Sequence, residues 1–264
     1  MMSCGGSTPE LRALGPIGLV RSLTAAQIGE PQAYFNARYL LDAAAEKPIP
    51  ATKTLGNLTR AFVERAFAEM RWPADYADMV RHVNKTLDEP DVGRLWLLRV
   101  ALQQGGLLRK YRGAFSTTRR GRELLAPGRE GELYAALFEA YFEKTNLAFM
   151  DGFPADPWLQ HQVPQLLSML QAAPAGALRL GELAERTVVD TAMWRDEPYR
   201  SAFEELCDAI RYRLLRPLEE LGLVELERRP RDRARYGSWP DREVRITPLF
   251  RGFVVPAPGS PQFN

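Results

Sequence analysis

Twice along this chain a helical stretch runs into glycine, a short β-compatible segment, an arginine-rich turn, a second such segment and a threonine. That repeated order restricts the fold more than any composition value does. In the first copy, DVGRLWLLRVALQQGG places Val92, Leu95, Leu98, Val100 and Leu102 largely at three- and four-residue spacing, and Gly105-Gly106 ends the helix. Leu107 to Tyr111 then reads as a strand, Arg112-Gly113 as a tight turn, and Ala114 to Thr117 as the returning strand. Thr118 can cap a new helix beginning at RRGRELL. The second copy has a helix over Ala202 to Leu221, then Gly222 and a strand over Leu223 to Glu227. A long arginine-rich turn through Tyr236 to Pro240 leads to a return strand from Glu243 to Thr247. Pro217 lies inside that helix, and a proline removes an intrahelical donor, so a kink or break is expected between Arg216 and Leu218.

Charge follows the same two windows. The whole sequence nets +2 from 35 basic and 33 acidic residues. Residues 109–122 contain Arg109, Lys110, Arg112, Arg119, Arg120 and Arg122 with no acid, a local +6, and residues 228–245 carry seven arginines against Asp232, Asp241 and Glu243, a local +4. The remainder therefore stands at −8. Concentrated positive patches on a nearly neutral protein attract a polyanion locally.

The rest of the chain reads as helical support. Ala33 to Ala45 and Leu58 to Met70 are amphipathic, with Thr54 and Asn57 as candidate caps between them, and RWPADYADMVRHVNKTLDEPD adds a further helix as an insertion. Gly131 to Met150 and Trp158 to Ala172 form a helical connector broken at Asp151-Gly152-Phe153-Pro154, and Leu180 to Thr187 opens the second half. The expected divisions are a loose tail over 1–30, a first module over 31–128, a connector over 129–175, a second module over 176–255 and a tail over 256–264. If the chain forms a homodimer, residues 131–172 are the expected place.

Chemistry is hard to find. His82 and His161 are the only histidines, with no HExxH spacing, no Cys-His pair at metal distance and no glycine-rich phosphate loop. No cofactor or metal is implied. Cys4 and Cys207 suit a reducing cytosol, and Cys207 reads as a small core residue. His161 stands near Asp151 and Asp156 in sequence, but a surface or cap-satisfied histidine explains it better than a catalytic dyad. Glu204-Glu205 and Glu219-Glu220 point about 100° apart within each pair and cannot share a substrate. The longest uncharged run, Pro157 to Leu178, holds His161, four glutamines and three prolines, which does not fit a membrane span.

The segments GLLRKYRGAFSTTRRGREL and GLVELERR…REVRITPLFRG resemble the stretch from recognition helix through wing in bacterial winged-helix regulators of the multiple-antibiotic-resistance-repressor type. The likeness spans about 40 residues in each half. Thr118-Arg119-Arg120-Gly121 fits the closing Thr-x-x-Gly, whereas Thr247-Pro248-Leu249-Phe250 puts phenylalanine at the glycine, so the second copy is expected to end in a different helix or none. NLTRAFV at 57–63 and LFEAYFEKTNLAFMDGFP at 137–154 are also similar to uncharacterised bacterial proteins with paired winged helices, which implies no function. The resemblance implies a mainly α fold with small β-hairpins (α+β), two winged-helix modules joined by a helical segment.

The expected function is binding of nucleic acid, double-stranded DNA in the first instance, in a cytoplasmic regulator. In a winged helix the helix before the wing enters the major groove, and wing arginines reach phosphates or the minor groove. The expected contacts are Arg109, Lys110, Arg112, Arg119 and Arg120 in the first half, with Arg211, Arg213, Arg216, Arg228, Arg229, Arg231, Arg233 and Arg235 in the second. The first reading helix offers Arg94, Arg99, Gln103 and Gln104, but Trp96 and Leu97 cover much of it in apolar groups. Two alternatives stand beside this reading. One is a protein-interaction scaffold built on Trp96, Trp158, Trp194 and Trp239, the other an enzyme whose site the spacing does not reveal.

Overall fold

The computed structural model describes residues 11–149, 152–153, 157–173, 176–187, 201–227 and 239–257. Among these the protein is mainly helical with three small antiparallel sheets of three strands, the class expected.

Two of the sheets carry the sequence repeat. In the first, β4 (Leu108–Tyr111) and β5 (Ala114–Thr117) form a hairpin with Leu108 opposite Thr117, and the short early strand β3 (Ile49–Pro50) pairs on the other side of β5. In the second, β7 (Val224–Leu226) and β8 (Glu243–Ile246) pair with Val224 opposite Ile246, and the early strand β6 (Ala177–Arg179) lies beside β8. The order is therefore the same in both halves, with the returning hairpin strand at the centre. Each hairpin is closed by a threonine. Thr118 accepts from the Gly121 amide at 3.0 Å and donates to the Gly106 carbonyl at 2.7 Å. Thr247 repeats this with Phe250 at 3.1 Å and Gly222 at 2.7 Å. Gly121 is required because a Cβ there would come within 2.4 Å of the Leu107 carbonyl. At the equivalent place Phe250 is buried in the core, and a short helix, Pro248–Phe253, follows Thr247.

Helices Gln32–Glu46 (α2), Arg60–Glu69 (α3) and Gly93–Gln104 (α5) match the expected periodicity, with the insertion as α4 (Ala74–Val83). The cap of α3 is Thr59 rather than Thr54 or Asn57. The second half supplies Leu180–Thr187, then Ala202–Ile210 (α11) and Arg216–Glu220 (α12). Between α11 and α12, residues Arg211–Leu215 widen into a π turn. The helix does not break at Pro217. The proline cannot donate to the carbonyl one turn back and its ring crowds it, and the widened turn absorbs that mismatch upstream.

Two expectations are corrected. Residues 11–30 are not a loose tail: Leu11–Leu14 and Ile17–Val20 form a hairpin whose second strand pairs with Val254–Pro256, and Ile17 and Leu19 are fully buried. Pro256 and Ala257 accordingly belong to the folded body, with Ala257 buried. The connector helix α7 (Glu130–Glu139), with its π continuation Ala140–Lys144, lies in the core and is buried over 133–142. Tyr134 donates to the Leu221 carbonyl at 2.6 Å and packs edge-on against Phe253 at 4.8 Å, which joins the first half, the second half and the C-terminal segment.

Candidate nucleic-acid interface

Burial sorts the expected contacts into three groups. The two helices in the reading position face inward. On α5, Leu95, Leu97, Leu98, Arg99, Ala101 and Leu102 are buried, and Arg99 is held by Glu89 at 2.7 Å and by Gln103 at 2.6 Å. On the opposite side Arg213 keeps 1% of its surface and is no phosphate contact. Arg216 lies within 3.8 Å of Glu220, itself 3.0 Å from Arg94 of α5. Arg211 is half-buried, and its guanidinium donates to Tyr212 at 3.0 Å. Burial pulls the Arg211 guanidinium below the usual arginine range, although Tyr212 and Glu219 oppose that shift. Helices α5 and α11–α12 are thus spent on packing, and Arg94 and Glu220 link them across a buried contact. Desolvation raises the Glu220 carboxyl above its ordinary value despite the attraction of Arg94 and Arg216. Neither helix therefore presents an open face of side chains.

The second group lies outside the described residues: Arg228, Arg229, Arg231, Arg233 and Arg235, with Trp194.

The third group is the first hairpin, and it is exposed. Arg109, Lys110, Tyr111, Arg112 and Arg122 all stand in solvent, and none of the four cations forms an ion pair with an acid among the described residues. Arg119 is exposed but shares Glu123 at 2.8 Å, and Arg120 donates to the Gly105 carbonyl at 2.9 Å, which fixes the base of the hairpin. The turn has φ of 49° at Arg112 and 76° at Gly113. Two left-handed residues match the twist of a two-residue hairpin loop, where asparagine or glycine normally sits first; an arginine there carries a conformational cost. Tyr111 retains 59% of its surface, with the Arg112 guanidinium 5.1 Å and that of Arg109 6.0 Å from its ring centroid. Lys110 projects the other way and rests its ammonium against Gly56, in the loop that also ties the hairpin turn through the Ala51 amide and Gly113 carbonyl at 2.8 Å.

The hairpin stands on a buried prop. Glu89, fully buried, accepts from the Leu58 amide at 2.7 Å and from Arg99, and the Arg99 guanidinium lies 5.3 Å from the ring centroid of Phe115 in β5. A chain of contacts therefore runs from the Glu89 turn through α5 into the hairpin floor. Tyr111 and the Glu89 prop were not legible as site residues. The aromatic set between cations in RKYRG was the available signal for the first, and a buried glutamate has no signal in a single sequence.

Other places carry less. A groove of about 1170 Å³ runs between α2 and α3 with Phe35, Ile49 and Phe62 in its wall, and a recess of about 380 Å³ lies by Leu55 and Asp88. His161 lines neither, and Asp151 and Asp156 lie outside the described residues. Among the described residues no group of three or more His, Cys, Asp or Glu is placed to hold a metal ion, and no helix is long and apolar enough to cross a membrane. Cys207 is fully buried, and burial pushes its thiol up to about 12.

A family model described as the Y4jL N-terminal domain matches residues 34–131, the stretch from α2 through the basic hairpin to the start of α7. Nothing among the curated proteins or the solved structures matches the chain.

Proposed function

We propose that the two repeated units are winged helices and that the protein binds nucleic acid through the first wing, gripping the phosphate backbone rather than reading bases with a helix. The observation that carries this is the exposed pair Arg109 and Arg112 beside Tyr111, with exposed Lys110 on the other side of the same strand and no acid paired to any of the three among the described residues. A four-residue strand extends about 14 Å, so cations from the turn to the strand base span two or three successive phosphates. Adding Arg122 gives four groups for neutralisation, and the logarithm of the binding constant should fall with the logarithm of salt at a slope of about −3.6 for a duplex or about −2.8 for a single strand. Fluorescence anisotropy of a labelled oligonucleotide, as duplex and as single strand, across a salt series tests this. Arg112→Glu should weaken binding at low salt and flatten the slope. Absence of salt-dependent binding to both forms contradicts the reading.

The occlusion of α5 and α11–α12 favours a second reading. A scaffold that spends its reading helices on internal packing presents its remaining faces to a protein, and Trp158, half of it exposed, is one such contact. Recovery of a defined protein partner whose binding survives Arg112→Glu and fails with Trp158→Ala would support it.

A further inference from the structure

We infer that the wing takes an unpaired base, so that the preferred ligand of this site is single-stranded nucleic acid; the inference rests on the nucleic-acid reading above. Three features of the hairpin converge on it. Tyr111 is among the few large apolar side chains left in solvent, in company with Leu55, Met79, Val83, Phe149 and Trp158 among the described residues. Its ring centroid lies 6.0 Å from the guanidinium of Arg109 and 5.1 Å from that of Arg112. An aromatic face flanked by cations is the elementary unit of single-strand binding, because a base stacks on the ring while the adjoining phosphates meet the charges. The third feature is conformational. Arg112 holds φ of 49°, a region that asparagine or glycine enters at lower cost, and the hairpin nevertheless places a guanidinium there beside the ring.

The duplex fits this surface less well. Bases in a duplex are already stacked and paired, and Tyr111 could engage one only after it had been drawn out of the stack. The extra contacts that repay such distortion normally come from a reading helix in the groove, and here both helices in that position are buried. On a single strand no unstacking penalty of that size arises. The backbone that carries the ring is fixed. Its strand is paired residue by residue with β5, and the turn is tied to the loop at Ala51.

The test uses the full chain with a labelled oligothymidylate and a labelled hairpin duplex of equal length at one low salt concentration. The single strand should bind at least several-fold more tightly. Tyr111→Ala should weaken single-strand binding about 5- to 150-fold, the range for loss of one stacked base, and leave duplex binding nearly unchanged. Tyr111→Phe, which keeps the ring, should bind like the parent. Because Tyr111 is exposed, thermal unfolding of the three proteins should coincide, which separates a lost contact from a lost fold. Equal or tighter binding of the duplex, a Tyr111→Ala protein that keeps its single-strand affinity, or a Tyr111→Phe protein that loses it would overturn this inference and leave the backbone-gripping reading standing. Failure of both oligonucleotides to bind in a salt-dependent way would remove the reading beneath it.

Discussion

Glu89→Ala should be among the most damaging single substitutions in the first half of the chain. The carboxylate is fully buried and accepts from the Leu58 amide at 2.7 Å and from Arg99 Nε at 2.7 Å and Nη2 at 3.3 Å. Removing it strands a guanidinium whose side chain is only 10% exposed, with Gln103 as its remaining side-chain partner. Breaking one side of a buried, hydrogen-bonded pair costs about 3–5 kcal/mol. For a chain of 264 residues each kcal/mol moves the unfolding midpoint by about 2 °C, so a fall of about 6–10 °C is expected by calorimetry. The comparison is Glu123→Ala, which breaks the exposed Arg119–Glu123 pair and should leave the midpoint within about 1 °C. Equal midpoint shifts for the two substitutions, or a shift of less than about 2 °C for Glu89→Ala, would refute the buried-pair reasoning.

The same geometry sets other outcomes. Glu220 sits in the folded protein with its carboxyl raised above the ordinary 4.5, chiefly by desolvation. A raised acid binds its proton more tightly when folded, so its contribution is full below about 4.5 and lost as pH rises through the folded value; Glu220→Gln should flatten that part of the stability curve measured by urea titration. In a Cys4→Ser background, Cys207 should resist alkylation at neutral pH until denaturant is added, because it is buried and its thiol is pushed up to about 12; rapid labelling of the native protein would contradict that. Arg213→Glu should unfold the second half rather than merely weaken ligand binding, since a reversed charge would stand at a position with 1% exposure; circular dichroism distinguishes the two.

The hairpin at 108–117 was legible because everything that specifies it is local: Gly105-Gly106 ends the helix, Arg112-Gly113 makes the turn and Thr118 caps the next helix. Leu180–Thr187 was legible for the same reason, as a short amphipathic run with buried Leu183 and Ala184. The N-terminal hairpin, Leu11–Leu14 with Ile17–Val20 about a turn at Gly15, is local but too short to stand out, and the pairing that holds it in the body, Ile17–Leu19 with Val254–Pro256 at the far end of the chain, has no local pattern. The burial of Arg213 and the part-burial of Arg216 were not legible either, because burial depends on tertiary packing; for Arg216 that packing includes Glu220, which in turn meets Arg94 of the first half. A signal for α7 did exist: LYAALFEAYF is apolar on every face apart from Glu139, the pattern of a helix enclosed on nearly every side rather than one with a free face.

The claim that the wing, and not a helix, touches nucleic acid is tested most directly by photo-crosslinking a thiothymidine-substituted single strand to the intact protein and locating the adduct by mass spectrometry. The predicted adduct lies within residues 108–117, at or beside Tyr111, and disappears in high salt. Adducts concentrated on α5 or α11–α12, with none on the hairpin, would contradict the account.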